Sequence, residues 1–441
     1  MRLVEAAIRG RAVEWDIDPT LDRMVALMDI MGTPQRAYPV IHLTGTNGKS
    51  STARMIESLL RARGLRTGLY TSPELSSVRE RIQIDGEPLS EERFIAAYED
   101  VLPYVQMVDA DQPVAMSFFE VLTAMAYAAF ADAPIDVAVV EVGMGGRWDA
   151  TNVADGAVAV ITPIALDHTR YLGSTPEEIA EEKAGIIKSG SIAVVAQQRL
   201  EVAEVLMRHA AEVGAVVARE GLEFGVVRRE VAVGGQQVTV QGLHGEYDDL
   251  FLPLFGAHQA GNAACAVAAV EAFAAPASGM EALVDLDLVR QGLGQVASPG
   301  RLEIVRRSPT VMVDAAHNPA GIAATVDAVQ ESFTFTRLVG LVAVMADKDI
   351  AGILEPLEPM ISEIVVTRNS SARSMPPEEL AELAVGIFGQ ERVRVSPRMD
   401  DALDVAIALA EEEDDLGGAG VLAIGSVVTA ADVRTLLGAE R

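Results

Sequence analysis

Thiols and lysines are both scarce in this 441-residue chain: there is one cysteine, Cys265, and the 35 basic residues include only four lysines, Lys49, Lys183, Lys188 and Lys348. A single cysteine excludes a disulfide framework and a thiolate metal cluster. No apolar run approaches the ~18 residues that a membrane span requires, and Met1-Arg2-Leu3-Val4-Glu5 opens no apolar core of signal-peptide length. A cytoplasmic location with no membrane partner is the expectation. Excess positive charge is also missing. The net charge of −29 argues against a nucleic-acid partner or an anionic membrane surface. Where arginine supplies most of the positive charge, a retained lysine points to a need for a compact amine, or for one that can lose its proton. That directs attention to Lys49, Lys183 and Lys348.

What is present is apolar content, half of all residues, in a chain too long for one core. From residue 38 to about 220, strand and helix patterns alternate, with strands ending at Thr44, Tyr70, Glu141, Thr162 and Gln197. Val137 to Val142 is apolar on both faces except for Glu141, as in a central parallel strand. Residues 224–254 read as short antiparallel hairpins, and an alanine-rich helix runs from Ala257 to about Ala275. After a hinge at Ser298-Pro299-Gly300, alternation resumes to the end, which predicts a second, smaller parallel sheet. The spacing predicts helices opening at Ser117 and Thr175, each with a glutamate three residues later that completes a capping box.

The most informative stretch is Thr44-Gly45-Thr46-Asn47-Gly48-Lys49-Ser50-Ser51, a glycine-rich turn between an apolar strand and a helix. Such a turn aims backbone N–H groups and a helix N-terminus at an anion, and Lys49 adds a point charge for outer phosphates. It has two residues between its glycines where the general phosphate-loop pattern has four. Glu141 ends a strand just before Gly143, Gly145 and Gly146, where a carboxylate can hold Mg²⁺ against a nucleotide or simply cap a turn. His168 lies in the next strand-end loop. Mg²⁺ prefers oxygen, so ligand and structural roles for this histidine stay equally open. Lys183 fits either a helix-face ion pair or a site role. Asp314-Ala315-Ala316-His317 precedes a helix in the second half, and suits an N-cap or a nucleotide-facing turn.

These pieces, in this order, resemble the folylpolyglutamate synthase/dihydrofolate synthase family, a branch of the Mur-type ATP-dependent amide ligases. The resemblance runs through TSPELSSVRERI (71–82), SFFEVLTAMAY (117–127), EVGMGGRWDATN (141–152), LDHTRYLGSTPEEIAEEKAGIIK (166–188), GAHQAGNAACA (256–266), PGRLE (299–303), DAAHNP (314–319) and MADKD (345–349). It implies an N-terminal P-loop-type domain, residues 1–297, with a mostly parallel sheet and a small antiparallel β insertion. A smaller Rossmann-like α/β domain, residues 298–441, would follow. It further implies that Gly45, Thr46, Asn47, Gly48, Lys49, Ser50 and Ser51 cradle ATP, together with Asn262, Arg301, Asp314 and His317. Ser72, Glu141 and His168 would hold one Mg²⁺, and Lys183, carbamylated, would help hold a second. Lys49, Lys183 and His168 would serve the chemistry. The implied reaction joins L-glutamate to a folate or dihydropteroate carboxylate through an acyl phosphate, in a monomer. Two other readings are a ligase of the same fold acting on another acid, and a nucleotide switch that drives a partner. Two positions depart from the family pattern: Glu74, where histidine usually follows the Ser-Pro of the 71–73 turn, and Ser50-Ser51, where glycine-serine usually follows the lysine.

Overall fold

The computed structural model describes residues 1–12, 18–274, 283–412 and 418–439. The chain divides into two compact units. The first comprises Met1–Arg229, Gln237–Leu252 and Gln259–Val296; the second comprises Glu230–Gln236, Pro253–His258 and Ala297–Arg441.

The first unit is built on β1 (Val40–Thr44), β2 (Thr67–Tyr70), β3 (Ile82–Ile84), β4 (Glu87–Pro88), β5 (Val137–Glu141), β6 (Gly156–Ile161), β7 (Ile192–Val195) and β8 (Val216–Arg219), in the order β4-β3-β2-β5-β1-β6-β7-β8. The pairs among β2, β5, β1, β6, β7 and β8 are parallel, and the β2–β3 and β3–β4 pairs at one edge are antiparallel. β1 and β5 are buried along their whole length, which is why apolar residues fill both faces apart from His42, Thr44 and Glu141. Register matters more than strand count here. Leu43 pairs with Glu141, Thr44 with Ile161, and Tyr70 with Val140, so the carboxyl ends of β1, β2, β5 and β6 finish level with one another. Ligands of open α/β sheets bind at that edge.

On one face Tyr70, Ala138 and Val140 pack against Leu27, Phe94, Val121 and Phe130; a second cluster joins Ile161 and Val195 to Ile179, Val202 and Leu206. Helix Lys49–Ala62 lies close on helix Leu286–Gly294, where a Cβ added to Gly292 would meet Leu59 at 2.9 Å. Both expected capping boxes form, Ser117 with Glu120 and Thr175 with Glu178.

Between residues 225 and 252, β9 (Gly225–Ala232), β10 (Gly235–Gln241) and β11 (Glu246–Leu252) make the small antiparallel sheet. In the second unit, β12 (Glu303–Arg307), β13 (Thr310–Val313), β14 (Arg337–Val342), β15 (Glu363–Val366), β16 (Val393–Val395) and β17 (Ala419–Ile424) form a six-stranded sheet, order β12-β13-β17-β14-β15-β16. Only the β12–β13 pair is antiparallel. Its core gathers Met312, Val342, Ile353, Val366, Leu380 and Leu422. Among the described residues no helix is long and apolar enough to cross a membrane.

Candidate active site

After Thr44 the chain turns through Gly45 (φ +151°) and Gly48 (φ +87°) into the helix that starts at Lys49. Both glycines are required by space as well as by backbone angle. A Cβ on Gly45 would fall 1.9 Å from Thr162 Oγ1, and one on Gly48 would fall 2.6 Å from Asn262 Oδ1. The neighbouring strand end braces the turn. The N–H groups of Thr46 and Asn47 donate to Pro163 O at 3.0 and 3.3 Å, and Thr46 Oγ1 donates to Ala165 O at 2.9 Å. Those two N–H groups therefore shape the loop, and anion binding falls to the first-turn N–H groups of the helix, which have no intrahelical acceptor. Gly45→Ala is expected to abolish nucleotide binding and to cost about 2 kcal/mol or more of stability. Calorimetric ADP binding and a thermal melt check both effects.

Glu141, at the end of β5, is 1% exposed. Ser50 Oγ donates to its Oε1 at 2.9 Å, and the Ser72 backbone N–H donates to its Oε2 at 3.3 Å. The glycine run behind it allows close packing: a Cβ on Gly143 would strike Phe119 at 2.5 Å, and one on Gly146 would meet Glu182 O at 2.9 Å. Asp149 then anchors the turn, accepting from Met144 N at 2.9 Å and from Thr151 N at 2.9 Å. Burial raises the Asp149 carboxyl to about 6 against the pull of these hydrogen bonds.

Lys183 closes helix Pro176–Lys183 and is buried. Its Nζ donates to Gly45 O at 2.8 Å, and Lys49 Nζ reaches the same carbonyl at 3.2 Å. Two of the chain's four lysines thus meet on one backbone oxygen of the phosphate loop. Burial, and then the Lys49 charge, push the Lys183 amine down to about 7 against the opposing pull of Asp167, Asp149 and Glu182. A neutral primary amine is therefore well populated near pH 7.

His168 adopts a left-handed backbone (φ +51°) at the start of helix Thr169–Leu172. Its N–H donates to Asp167 Oδ1 at 2.8 Å, and its Nε2 lies 4.0 Å from Asp167 Oδ2. Asn262 Nδ2 donates to Gln259 Oε1 at 3.1 Å, and Gln259 Nε2 lies 3.5 Å from Ser51 Oγ, so both belong to the surroundings of the loop. The second unit carries the remaining candidates, Arg301 just before β12, and Asp314 and His317 just after β13. Asp314 accepts from Leu302 N at 2.7 Å, Ala316 N at 2.8 Å and Thr325 Oγ1 at 3.1 Å, while His317 Nδ1 is 2.9 Å from Ala315 O. The Arg301 N–H donates to Ser298 O at 3.2 Å. Asp314 shapes the turn of its own unit, and the following helix is capped by Asn318, whose side chain accepts from Gly321 N.

Glu74 is not a loose extra anion. Arg9 Nη2 donates to Glu74 Oε1 at 2.7 Å and Arg81 Nε donates to Oε2. Burial alone would raise this carboxyl, but the Arg81 and Arg9 guanidiniums hold it below the usual glutamate range.

Among the described residues no three His, Cys, Asp or Glu side chains gather as they would for a metal ion. The donors around Glu141 are hard oxygens, carboxylate and serine hydroxyl, which suit Mg²⁺. A carbamate on Lys183 would add more oxygen. Sequence reasoning missed Asp149, Thr162, Pro163 and Ala165 as supports of the site. Their one signal was position: Asp149 lies in the 141–152 motif, and Thr162, Pro163 and Ala165 stand between the end of β6 and the 166–188 motif.

Residues 43–270 match the Mur ligase middle domain, and residues 300–426 match the Mur ligase glutamate ligase domain. The chain is 50% identical over 458 residues to a Mycobacterium tuberculosis protein named dihydrofolate synthase/folylpolyglutamate synthase, covering 99% of this chain and 94% of that one. It is 35% identical over 423 residues to the Lacticaseibacillus casei folylpolyglutamate synthase, covering 95% and 94%. The Mycobacterium tuberculosis folylpolyglutamate synthase solved with ADP and AMPPCP superposes with a TM-score of 0.93 at 50% identity, covering 99% of this chain and 98% of that one. The matches cover both halves of the chain, and the chain belongs to the folylpolyglutamate synthase/dihydrofolate synthase family of Mur-type ligases.

Proposed function

We propose that this protein is an ATP-dependent ligase that adds L-glutamate to a carboxylate of a folate or of dihydropteroate. The observation that carries this reading is the buried Lys183 amine, 2.8 Å from the Gly45 carbonyl of the phosphate loop and neutral in large part near pH 7. Phosphate binding alone calls for a cation there, not for a second amine that sheds its proton.

The γ-phosphoryl group passes to the acceptor carboxylate, giving an acyl phosphate. The glutamate amine attacks the acyl carbon, and phosphate leaves. Lys49 and the first-turn N–H groups of its helix hold the phosphates in line. Neutral Lys183 adds its lone pair to the carbon of CO₂ and releases a proton, which leaves a carbamate with two oxygens. Ser72, Glu141 and His168 would hold one Mg²⁺, and the Lys183 carbamate would help hold a second; the charge neutralisation that Mg²⁺ supplies lets two anions meet. Ser50, whose hydroxyl is already on Glu141, shares that position with Ser72. Asn262 in the first unit, and Arg301, Asp314 and His317 in the second, are each proposed as nucleotide-binding residues. On this reading residues 1–297 and 298–441 are the two working domains of a cytoplasmic monomer that performs both the folylpolyglutamate and dihydrofolate syntheses.

Mass analysis of reactions with ATP, L-glutamate and either tetrahydrofolate or dihydropteroate tests the assignment. An acceptor longer by one glutamate is expected in both. No product with either acceptor, from protein that binds nucleotide, would overturn it.

A further inference from the structure

The geometry points to Glu74 as a positioning residue: with Arg81 and Arg9 it bolts the 71–81 loop to the N-terminal helix and so holds Ser72 against Glu141. This inference rests on the proposed role of the Ser72–Glu141 pair. It concerns the one position in that loop where the sequence departs from the family's pattern.

The loop joins β2 to β3, an antiparallel pair in which Tyr70 faces Ile82. Its base is closed by the Thr71 N–H donating to Arg81 O at 3.1 Å. Ser72, one residue into the loop, donates its N–H to Glu141. Two residues further on, the Glu74 side chain turns back to that same base and accepts from Arg81 Nε. Its other oxygen accepts from Arg9, on helix Arg2–Arg9. Both guanidiniums also lie over a single ring: Arg81 is 5.1 Å and Arg9 5.6 Å from the Phe118 centroid. One carboxylate therefore ties together the loop base, the N-terminal helix and the first residue of helix Phe118–Asp132.

The rest of the loop has its own brace. The Glu80 carboxylate accepts from the N–H groups of Leu75, Ser76 and Ser77. That brace fixes residues 75–80 internally and makes no link to the N-terminal helix. Among the described residues, Glu74 is the loop side chain that bonds both Arg9 and Arg81. A neutral side chain at this position would remove the anion that Arg9 and Arg81 share, leaving Arg9 with Glu5 on its own helix and no charged link from the loop to that helix through this position. Charge-assisted hydrogen bonds are the strong ones, so their loss should free Ser72 first.

The test compares the full chain with Glu74→Gln and with Arg9→Ala, a milder variant at a side chain that is 48% exposed. Amide hydrogen exchange is followed across residues 71–82, and Mg²⁺ is titrated in calorimetric ADP binding and in turnover. Exchange in 71–82 should quicken by roughly 10-fold in Glu74→Gln and less in Arg9→Ala, with β1 and β5 unchanged. The Mg²⁺ needed for half-maximal ADP binding and turnover should rise by about 5-fold, while KM for glutamate stays put. Unchanged exchange in 71–82 and an unchanged Mg²⁺ requirement in both variants would overturn the inference. So would loss of protection throughout the chain in Arg9→Ala, because that would make the cluster a general stabiliser. Failure of the functional reading looks different: the wild type itself would then show no Mg²⁺-dependent ligation.

Discussion

Lys183→Ala is expected to lower kcat by about 10³-fold or more, with partial rescue by a short-chain carboxylic acid. The argument starts from position. The Lys183 amine is buried against the Gly45 carbonyl of the phosphate loop, beside the Lys49 amine. An arginine there could neither give up its proton nor form a carbamate. If Lys183 carries the proposed carbamate, removing the amine removes its oxygens, and a small carboxylate diffusing into the space can replace them. Stability should move the other way. The folded-state value of about 7 lies below the ordinary lysine value of 10.5, so the unfolded chain binds more protons between those values and wild-type stability rises with pH through that window. Below pH 7 the folded protein carries the full cost of a buried charge. Lys183→Met, of similar bulk and no charge, should therefore melt higher than wild type at pH 6, by an amount on the order of a few kcal/mol. The gain should shrink toward pH 10. Near-normal turnover of Lys183→Ala without supplement would contradict the assignment, and an unfolded Lys183→Met would contradict the electrostatics.

The second large effect belongs to Lys49. Lys49→Ala should reduce kcat by about 10²–10³-fold, as expected when a preorganised charge on the transferring phosphoryl group is lost. Lys49→Arg should not restore it, because a planar fork cannot share the Gly45 carbonyl with Lys183 as a compact ammonium does. A further consequence separates this lysine from a generic phosphate ligand. Its charge is the second cause of the low Lys183 value, after burial. Removing it lets the Lys183 amine rise, so less of it is neutral near pH 7. The acid limb of the residual pH–rate profile of Lys49→Ala should move to higher pH than in wild type. An unshifted limb would mean that the two amines do not interact.

Much of this site was legible in the sequence because strand ends carry it. The apolar run 137–141 and the Gly-Lys-Ser turn announced β1, β5 and the phosphate loop, and the scarcity of lysine singled out Lys183. Capping boxes at Ser117 and Thr175 were readable because the pattern is local. What was illegible is the tertiary part. β3 and β4 are three and two residues long, too short to show alternation, and the charged β12 (Glu303–Arg307) hid its period at a sheet edge. The pairing of Glu74 with Arg9 spans 65 positions, and no periodicity connects them. Ser50 and Ser72 both have a claim on Glu141, which depends on register between β1, β2 and β5 and not on spacing along the chain.

The coupling of the phosphate loop to an acyl phosphate is tested most directly by an acceptor whose reacting carboxylate carries heavy oxygen. With ATP and L-glutamate present, the account predicts one heavy oxygen in each released phosphate, together with ADP release that requires the acceptor. Unlabelled phosphate, or ADP released at the same rate without any acceptor, would contradict it.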